Sequence, residues 1–155
     1  MNKQPSATAM SNTGEFDVAQ WPFYWLTRFT GRYLNEVEIA LKTIGLDVPR
    51  WRVLMTLRGP RMLSVSEIAD HAIVKLPTMT KILQRMQVDD LVTCSQSAAD
   101  RRVTEVSLTA KGTESGQHAW EAVNAIYRKA FDGVSDADTA RLNRILNRIT
   151  NNLDG

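Results

Sequence analysis

Between residues 64 and 108 the hydrophobic rhythm of the chain changes once, from spacings of three and four to a period of two. That change limits the fold more than any other feature. Ser64-Val65-Ser66-Glu67 has the form of a capping box, so a short helix starts there with Val65, Ile68 and Ala69 facing inward. A second helix begins near Pro77, where a first turn tolerates proline, and carries Met79, Ile82, Leu83 and Met86 on one face. It should stop at Asp89-Asp90, because Asp adopts the left-handed conformation more readily than most residues. Beyond it, 91–96 and 102–108 alternate as strands do, with Val92 and Cys94 in one and Thr104, Val106 and Leu108 in the other. The polar stretch 97–101 lies between them. Two short helices followed by a β-hairpin are the expected centre of the fold.

The flanks are helical. Residues 18–44 repeat Leu26, Phe29, Tyr33, Val37, Ala40, Leu41 and Ile44 at helical spacing and meet a natural stop at Gly45. Pro49 opens a short helix holding Trp51, Leu54, Met55 and Leu57, which Gly59-Pro60 ends. After the hairpin, Thr109 can cap a long helix to about Phe131, with Ala119, Trp120, Val123, Ile126, Tyr127 and Ala130 on one stripe. Ser135 and Asp138 suggest a second capping box before a last helix, whose Leu142, Ile145, Leu146, Ile149 and Leu153 form an apolar seam. The fold class is therefore mainly α (α+β), a helix-turn-helix with a β-hairpin wing between long flanking helices.

Bulk properties narrow the setting. A length of 155 residues suits one compact domain with helical extensions, and 43% hydrophobic against 23% charged residues is too apolar for a disordered chain. One cysteine, Cys94, excludes an intramolecular disulfide and fits a reducing compartment. No apolar run approaches the ~20 residues that span a bilayer, and the polar start lacks the apolar stretch of a secretory signal. The expected location is the cytoplasm, with no membrane partner.

The net charge is only +2, yet it is unevenly placed. Residues 50–85 hold seven cations (Arg50, Arg52, Arg58, Arg61, Lys75, Lys81, Arg85) against two acids (Glu67, Asp70), a local balance of +5. The helix at Pro77 has a buried face and, opposite it, Thr78, Thr80, Lys81, Gln84 and Arg85. Short hydroxyls, an amide and cations without a carboxylate suit base edges and phosphates. At the hairpin tip, Asp100-Arg101-Arg102 offers arginine to a minor groove, where the negative potential favours it, with Asp100 able to hold one arginine in place. A solvated charged turn explains the tip equally well by itself. Beside the reading helix, DNA contact explains it better.

The ordered set WRVLMTL at 51–57, SVSEIADHA at 64–72, PTMTKILQRM at 77–86, DRR at 100–102 and VSLTAKG at 106–112 resembles the MarR family of winged helix-turn-helix regulators. The likeness spans roughly residues 46–112. It implies a homodimer that presents two reading helices to double-stranded DNA at an inverted-repeat operator, wings in the flanking minor grooves and a ligand pocket near the dimerisation helices. The implied division is a disordered tail at 1–15, a dimerisation helix at 16–45, the DNA-binding region at 46–108 and C-terminal dimerisation helices at 109–155. Lys75, Thr78, Thr80, Lys81, Gln84, Arg85, Asp100, Arg101 and Arg102 are the DNA-contacting candidates. Two positions depart from the family pattern. Lys75 and Leu76 precede Pro77 where a capping Ser is common, and Asp90 stands where many members have Gly.

Seven of the eleven aromatic residues (Phe16, Trp21, Phe23, Tyr24, Trp25, Phe29, Tyr33) fall between positions 16 and 33, interleaved with Arg28 and Arg32. Packing in a dimer interface accounts for most of them, but seven rings exceed what one helical face buries. Arginine among rings suits an aromatic acid or its acyl-CoA. Trp21, Tyr24, Trp25, Arg28, Phe29 and Arg32, with Trp51 and Arg52 on the next helix, are the effector-binding candidates. Cys94 is expected to pack rather than react, since no cation adjoins it. His71 and His118 are isolated, so neither a metal nor another cofactor is expected, and no nucleophile–base pair or glycine-rich phosphate loop suggests an enzyme. The reading is a ligand-responsive transcriptional repressor. The competing one is a winged-helix module that binds protein through its basic face.

Overall fold

The computed structural model describes residues 17–153, so the tail expected over 1–15, and Phe16, lie outside the described residues. After a single 3-10 turn at Val18–Gln20 come helices α1 (Pro22–Lys42) and α2 (Val48–Thr56), strand β1 (Leu63–Ser64), and helices α3 (Val65–Ala72) and α4 (Leu76–Val88). Strands β2 (Val92–Gln96) and β3 (Thr104–Leu108) lead into helices α5 (Ala110–Ala130) and α6 (Asp136–Asn151). No described helix is long and apolar enough to cross a membrane.

Start signals act locally. Asp47 caps α2 by accepting from the Arg50 amide (2.8 Å), a cap the sequence reading passed over. At α3 both arms of the capping box form: Ser64 Oγ accepts from the Glu67 amide, and Glu67 accepts from the Ser64 amide at 2.7 Å. Thr109 caps α5 through the Gly112 amide (2.9 Å). Ser135 caps α6, but its partner arm differs. Asp138 is one methylene shorter than the usual Glu and takes the Ser135 hydroxyl (2.6 Å).

Three helices end alike. The residue after each stop lies in left-handed backbone (Gly45 φ 72°, Ile73 φ 55°, Asp90 φ 58°). The next amide reaches back into the helix, Leu46 to Leu41, Val74 to Ala69 and Leu91 to Met86. Gly45 and Asp90 suit that conformation. Ile73 does not, because a β-branched side chain crowds its own carbonyl there.

Buried side chains from helices α1 to α5 and the sheet meet in one core: Val37 and Leu41 of α1, Val53 and Leu54 of α2, Ile68 of α3, Met79, Leu83 and Met86 of α4, Val92 and Val106 of the sheet, and Ala119 and Val123 of α5. The sheet runs β1-β3-β2, all antiparallel, with Val106 facing Leu63 on one side and Cys94 on the other.

Three expectations need correction. The helix expected over 18–44 is broken at Trp21, which stays extended because Pro22 follows it. The second wing strand starts at Thr104, and Arg102 belongs to the turn. Strand β1 is an addition, too short to show a period. On α5, Trp120 and Tyr127 stay exposed while Ala119 and Val123 are buried, so the stripe is only half used. Helix α6 buries none of its residues, and Leu142, Ile145 and Ile149 face solvent.

A Cβ on Gly112 would fall inside the Leu91 carbonyl group, so α5 approaches the base of the wing only because that residue has no side chain. Two substitutions should therefore move stability in opposite directions. Gly112→Ala is expected to lower it by about 3 kcal/mol or more, since backbone and not a flexible side chain must yield. Ile73→Gly is expected to raise it by about 1 kcal/mol by relieving left-handed strain at a residue that buries little. Thermal unfolding of the two variants beside the parent chain measures both.

Candidate nucleic-acid interface

Helix α4 has no acidic residue, and one side of it is fixed by Met79, Leu83 and Met86 in the core. Thr78, Thr80, Lys81, Gln84 and Arg85 are all exposed on the remaining surface, as is Lys75 at the N-cap. Lys75 makes no side-chain cap bond, as expected of an ammonium, which has no acceptor, and the residue is exposed. The Thr80 hydroxyl donates to the Leu76 carbonyl (3.0 Å), which leaves its oxygen as an acceptor toward solvent. Nine residues were assigned to DNA from sequence, and six of them thus share one helix.

The other three sit on the wing. Between β2 and β3 the chain turns through 97–103, closed by Ser97 N–H to the Val103 carbonyl and Val103 N–H to the Asp100 carbonyl, each 2.9 Å. Asp100 accepts three bonds from Arg102: Oδ1 takes the amide (3.0 Å) and Nε (3.1 Å), and Oδ2 takes Nη2 (3.1 Å). The Arg102 guanidinium, then its amide, hold the Asp100 carboxyl below its ordinary value. Such an exposed pair adds little stability. What it does is fix the position of the guanidinium, which stays 90% exposed at the edge of the wing. Arg101 is exposed beside it. Between α4 and the wing lies a cleft of about 470 Å³, lined by Leu76, Thr80 and Gln84 on the helix and Arg102 and Thr104 on the hairpin.

The positive balance counted along residues 50–85 is partly internal. Arg50 binds Asp47 (3.1 Å), Asp89 (3.2 Å) and the Gly45 carbonyl (3.2 Å). Arg52 donates to the Ala72 carbonyl (3.2 Å) at the end of α3. Arg58 lies over the Trp120 ring, 4.4 Å from its centroid, and donates to Gln117. These three cations hold elements together. Arg61, Lys75, Lys81 and Arg85 remain exposed.

The eight effector candidates are not gathered in one place. Trp21 meets Phe23 edge-on (5.4 Å), Tyr24 meets Trp25 (5.0 Å), and Arg28 lies 5.2 Å from the Tyr24 ring, all at the N-terminal end of α1. Phe29 and Arg32 instead line a groove of about 490 Å³ between α1 and α5, with Tyr33, Glu36, Ile126 and Lys129. Phe29 stacks on Tyr33 (5.8 Å) and meets Phe131 edge-on (6.5 Å), and burial pushes the Tyr33 phenol up. Tyr33 and Lys129 are not among the effector candidates that the sequence suggests. Tyr33 reads as a core residue of α1, and Lys129 comes from a helix 97 positions away that only packing brings near Arg32. Trp51 and Arg52 lie outside this groove. Trp51 packs against the core, and its buried indole N–H finds no acceptor among the described residues. Cys94 is half-buried and desolvation raises its thiol pKa, which favours packing over reactivity. Among the described residues, no group of three or more His, Cys, Asp or Glu side chains could hold a metal ion.

The family model described as MarR family matches residues 46–104. Over 140 residues the chain is 44% identical to the HTH-type transcriptional repressor IacR of Pseudomonas putida, covering 90% of this chain and 84% of that one. The fold superposes on a MarR-family regulator from Silicibacter pomeroyi with a TM-score of 0.81 at 23% identity, covering 89% of this chain and 93% of that one. It superposes on NadR, solved in complex with 4-hydroxyphenylacetate, with a TM-score of 0.76 at 19% identity, covering 90% and 97%.

Asp100 gives a direct check on the wing. Its carboxyl is held below the ordinary value in the folded chain, so the pairing is intact above the ordinary carboxylate range and is lost as pH falls through the folded value. Carboxyl-carbon NMR should show Asp100 titrating low in the parent chain and moving up toward its ordinary value in Arg102→Ala, which keeps only the backbone amide bond. An unchanged titration in that variant would mean that Arg102 does not hold the carboxylate.

Proposed function

The chain belongs to the MarR family of transcriptional regulators, and from that membership we propose a homodimeric, sequence-specific repressor that a small aromatic acid releases from its operator. The observation that carries the DNA reading is the acid-free exposed face of α4 standing across a cleft from an exposed arginine that Asp100 holds in position. On this reading Lys75, Lys81 and Arg85 meet phosphates, and Thr78, Thr80 and Gln84 meet base edges. Arg101 and Arg102 enter the minor groove, and Asp100 acts as a positioning residue. Residues 46–108 form the DNA-facing region, and the helices within 16–45 and 109–155 pair the two copies. The unburied seam of α6 and the exposed rings of α1 supply apolar area for that pairing. The setting proposed is the cytoplasm.

Gel shifts on the region upstream of the gene test this at graded salt. A protein making many phosphate contacts should lose roughly 10³-fold or more in affinity over a fourfold rise in salt. Weak binding with flat salt dependence would favour a protein-binding role instead.

For the effector, support comes from the α1–α5 groove, where rings (Phe29, Tyr33) stand beside cations (Arg32, Lys129) in a volume suited to a small ligand. NadR was solved with an aromatic acid bound, which fits the same chemistry. The Trp51 N–H, on a helix that packs against both α1 and α5, is a second donor in want of an acceptor. Calorimetry with hydroxycinnamates, benzoates, phenylacetates and their CoA esters should find a binder. Arg32→Ala should weaken that binding about tenfold or more while leaving DNA affinity unchanged. Absence of binding across the panel would refute the effector.

A further inference from the structure

Three large apolar side chains stand in solvent around α4: Ile73 in the turn before it, Leu76 in its first turn and Val88 at its end. Exposure of one apolar residue needs no explanation by itself. Leu76 differs from the other two in its position. It is the first residue of α4, 48% exposed, and reading helices meet base edges with their N-terminal residues. Leu76, Thr80 and Gln84 recur every four residues, so they run along one flank of the helix, and all three line the cleft that Arg102 closes from the wing. The surface on which Leu76 sits is flanked by Lys75 and Lys81 and contains no acid. Whatever covers it must bring negative charge and also offer something apolar. The major groove of DNA meets both conditions, because it presents phosphates along its edges and the C5-methyl group of thymine on its floor.

We propose that Leu76 reads a thymine methyl group in each half-site of the operator. The inference rests on the DNA-binding role of α4 and adds an apolar contact to a face otherwise made of hydroxyls, an amide and cations. Loss of one methyl contact corresponds to a change of about fourfold in affinity.

The test uses the full chain and a duplex recovered by repeated selection from a randomised pool. Each thymine is replaced singly by deoxyuridine, which removes only the methyl group. The parent protein should lose about fourfold in affinity at one thymine in each half-site. Leu76→Ala, at an exposed helical position, should bind the thymine and deoxyuridine duplexes equally there. Thr80→Ser, which removes the neighbouring methyl and keeps the hydroxyl, should show the same thymine-to-deoxyuridine ratio as the parent whatever its overall affinity, and loss of that ratio would overturn the assignment to Leu76. A parent protein indifferent to every deoxyuridine, though still binding with steep salt dependence, would overturn the assignment and leave the DNA reading standing. Full discrimination retained by Leu76→Ala would overturn it as well. Failure to recover any preferred duplex would overturn both.

Discussion

The backbone carbonyl of Leu91 lies where the reading helix, the wing and α5 converge, and no side chain fits between it and Gly112. Around that contact the end of α4 is tied down atom by atom. Leu91 N–H donates to the Met86 carbonyl (2.8 Å), the Thr109 hydroxyl to the Asp90 carbonyl (2.6 Å) and Lys111 Nζ to the Asp89 carbonyl (2.7 Å). Thr109 N–H reaches Leu91 itself (3.2 Å). Carbonyls that a helix end leaves without partners are thus satisfied by the first turn of another helix. Arg50 closes the same corner by holding the Asp89 carboxylate from α2. A displacement of α5 must move the base of the wing and the last turn of α4 with it.

The same corner explains why charge counting along the chain overstated the reading surface. A guanidinium can serve a phosphate or a protein carbonyl, and sequence does not say which. Arg50, Arg52 and Arg58 are spent on bracing α2 against α3, α4 and α5. What remains outward is sparser and better placed. Lys75, Lys81 and Arg85 lie on or beside one helix, with Arg101 and Arg102 across the cleft. On the proposed reading, aim more than total charge would fit this chain to a duplex.

The aromatic N-terminal helix divides in a similar way. Its first turns pair rings with each other and with Arg28, whereas Phe29 and Tyr33 join Tyr127 and Phe131 of the α5 end in a four-ring cluster. Composition marked the whole stretch as unusual. The fold gives its second half a groove against α5. The pairing of Glu36 with Lys129 (4.0 Å) on the groove wall shows that α1 and α5 are also joined electrostatically there.

Local chemistry determined much of this protein by sequence alone. The Ser64–Glu67 box, the proline at the start of α4, Asp90 in left-handed backbone and Thr109 before α5 each act within four residues, so element types and most boundaries were legible. The exposed face of α4 and the Asp100–Arg102 pair were legible for the same reason. Other features needed the tertiary structure. Strand β1 exists because β3 offers it a partner, and Ile73 holds a strained conformation because the turn into α4 demands it. Lys129 lines one groove with Arg32, and Gly112 meets Leu91, across distances in sequence that no local rule spans. The commitment of three arginines to internal partners likewise depends on where helices come to rest. Hydrophobic period and capping are properties of neighbouring residues, whereas the partner of a long charged side chain is set by packing.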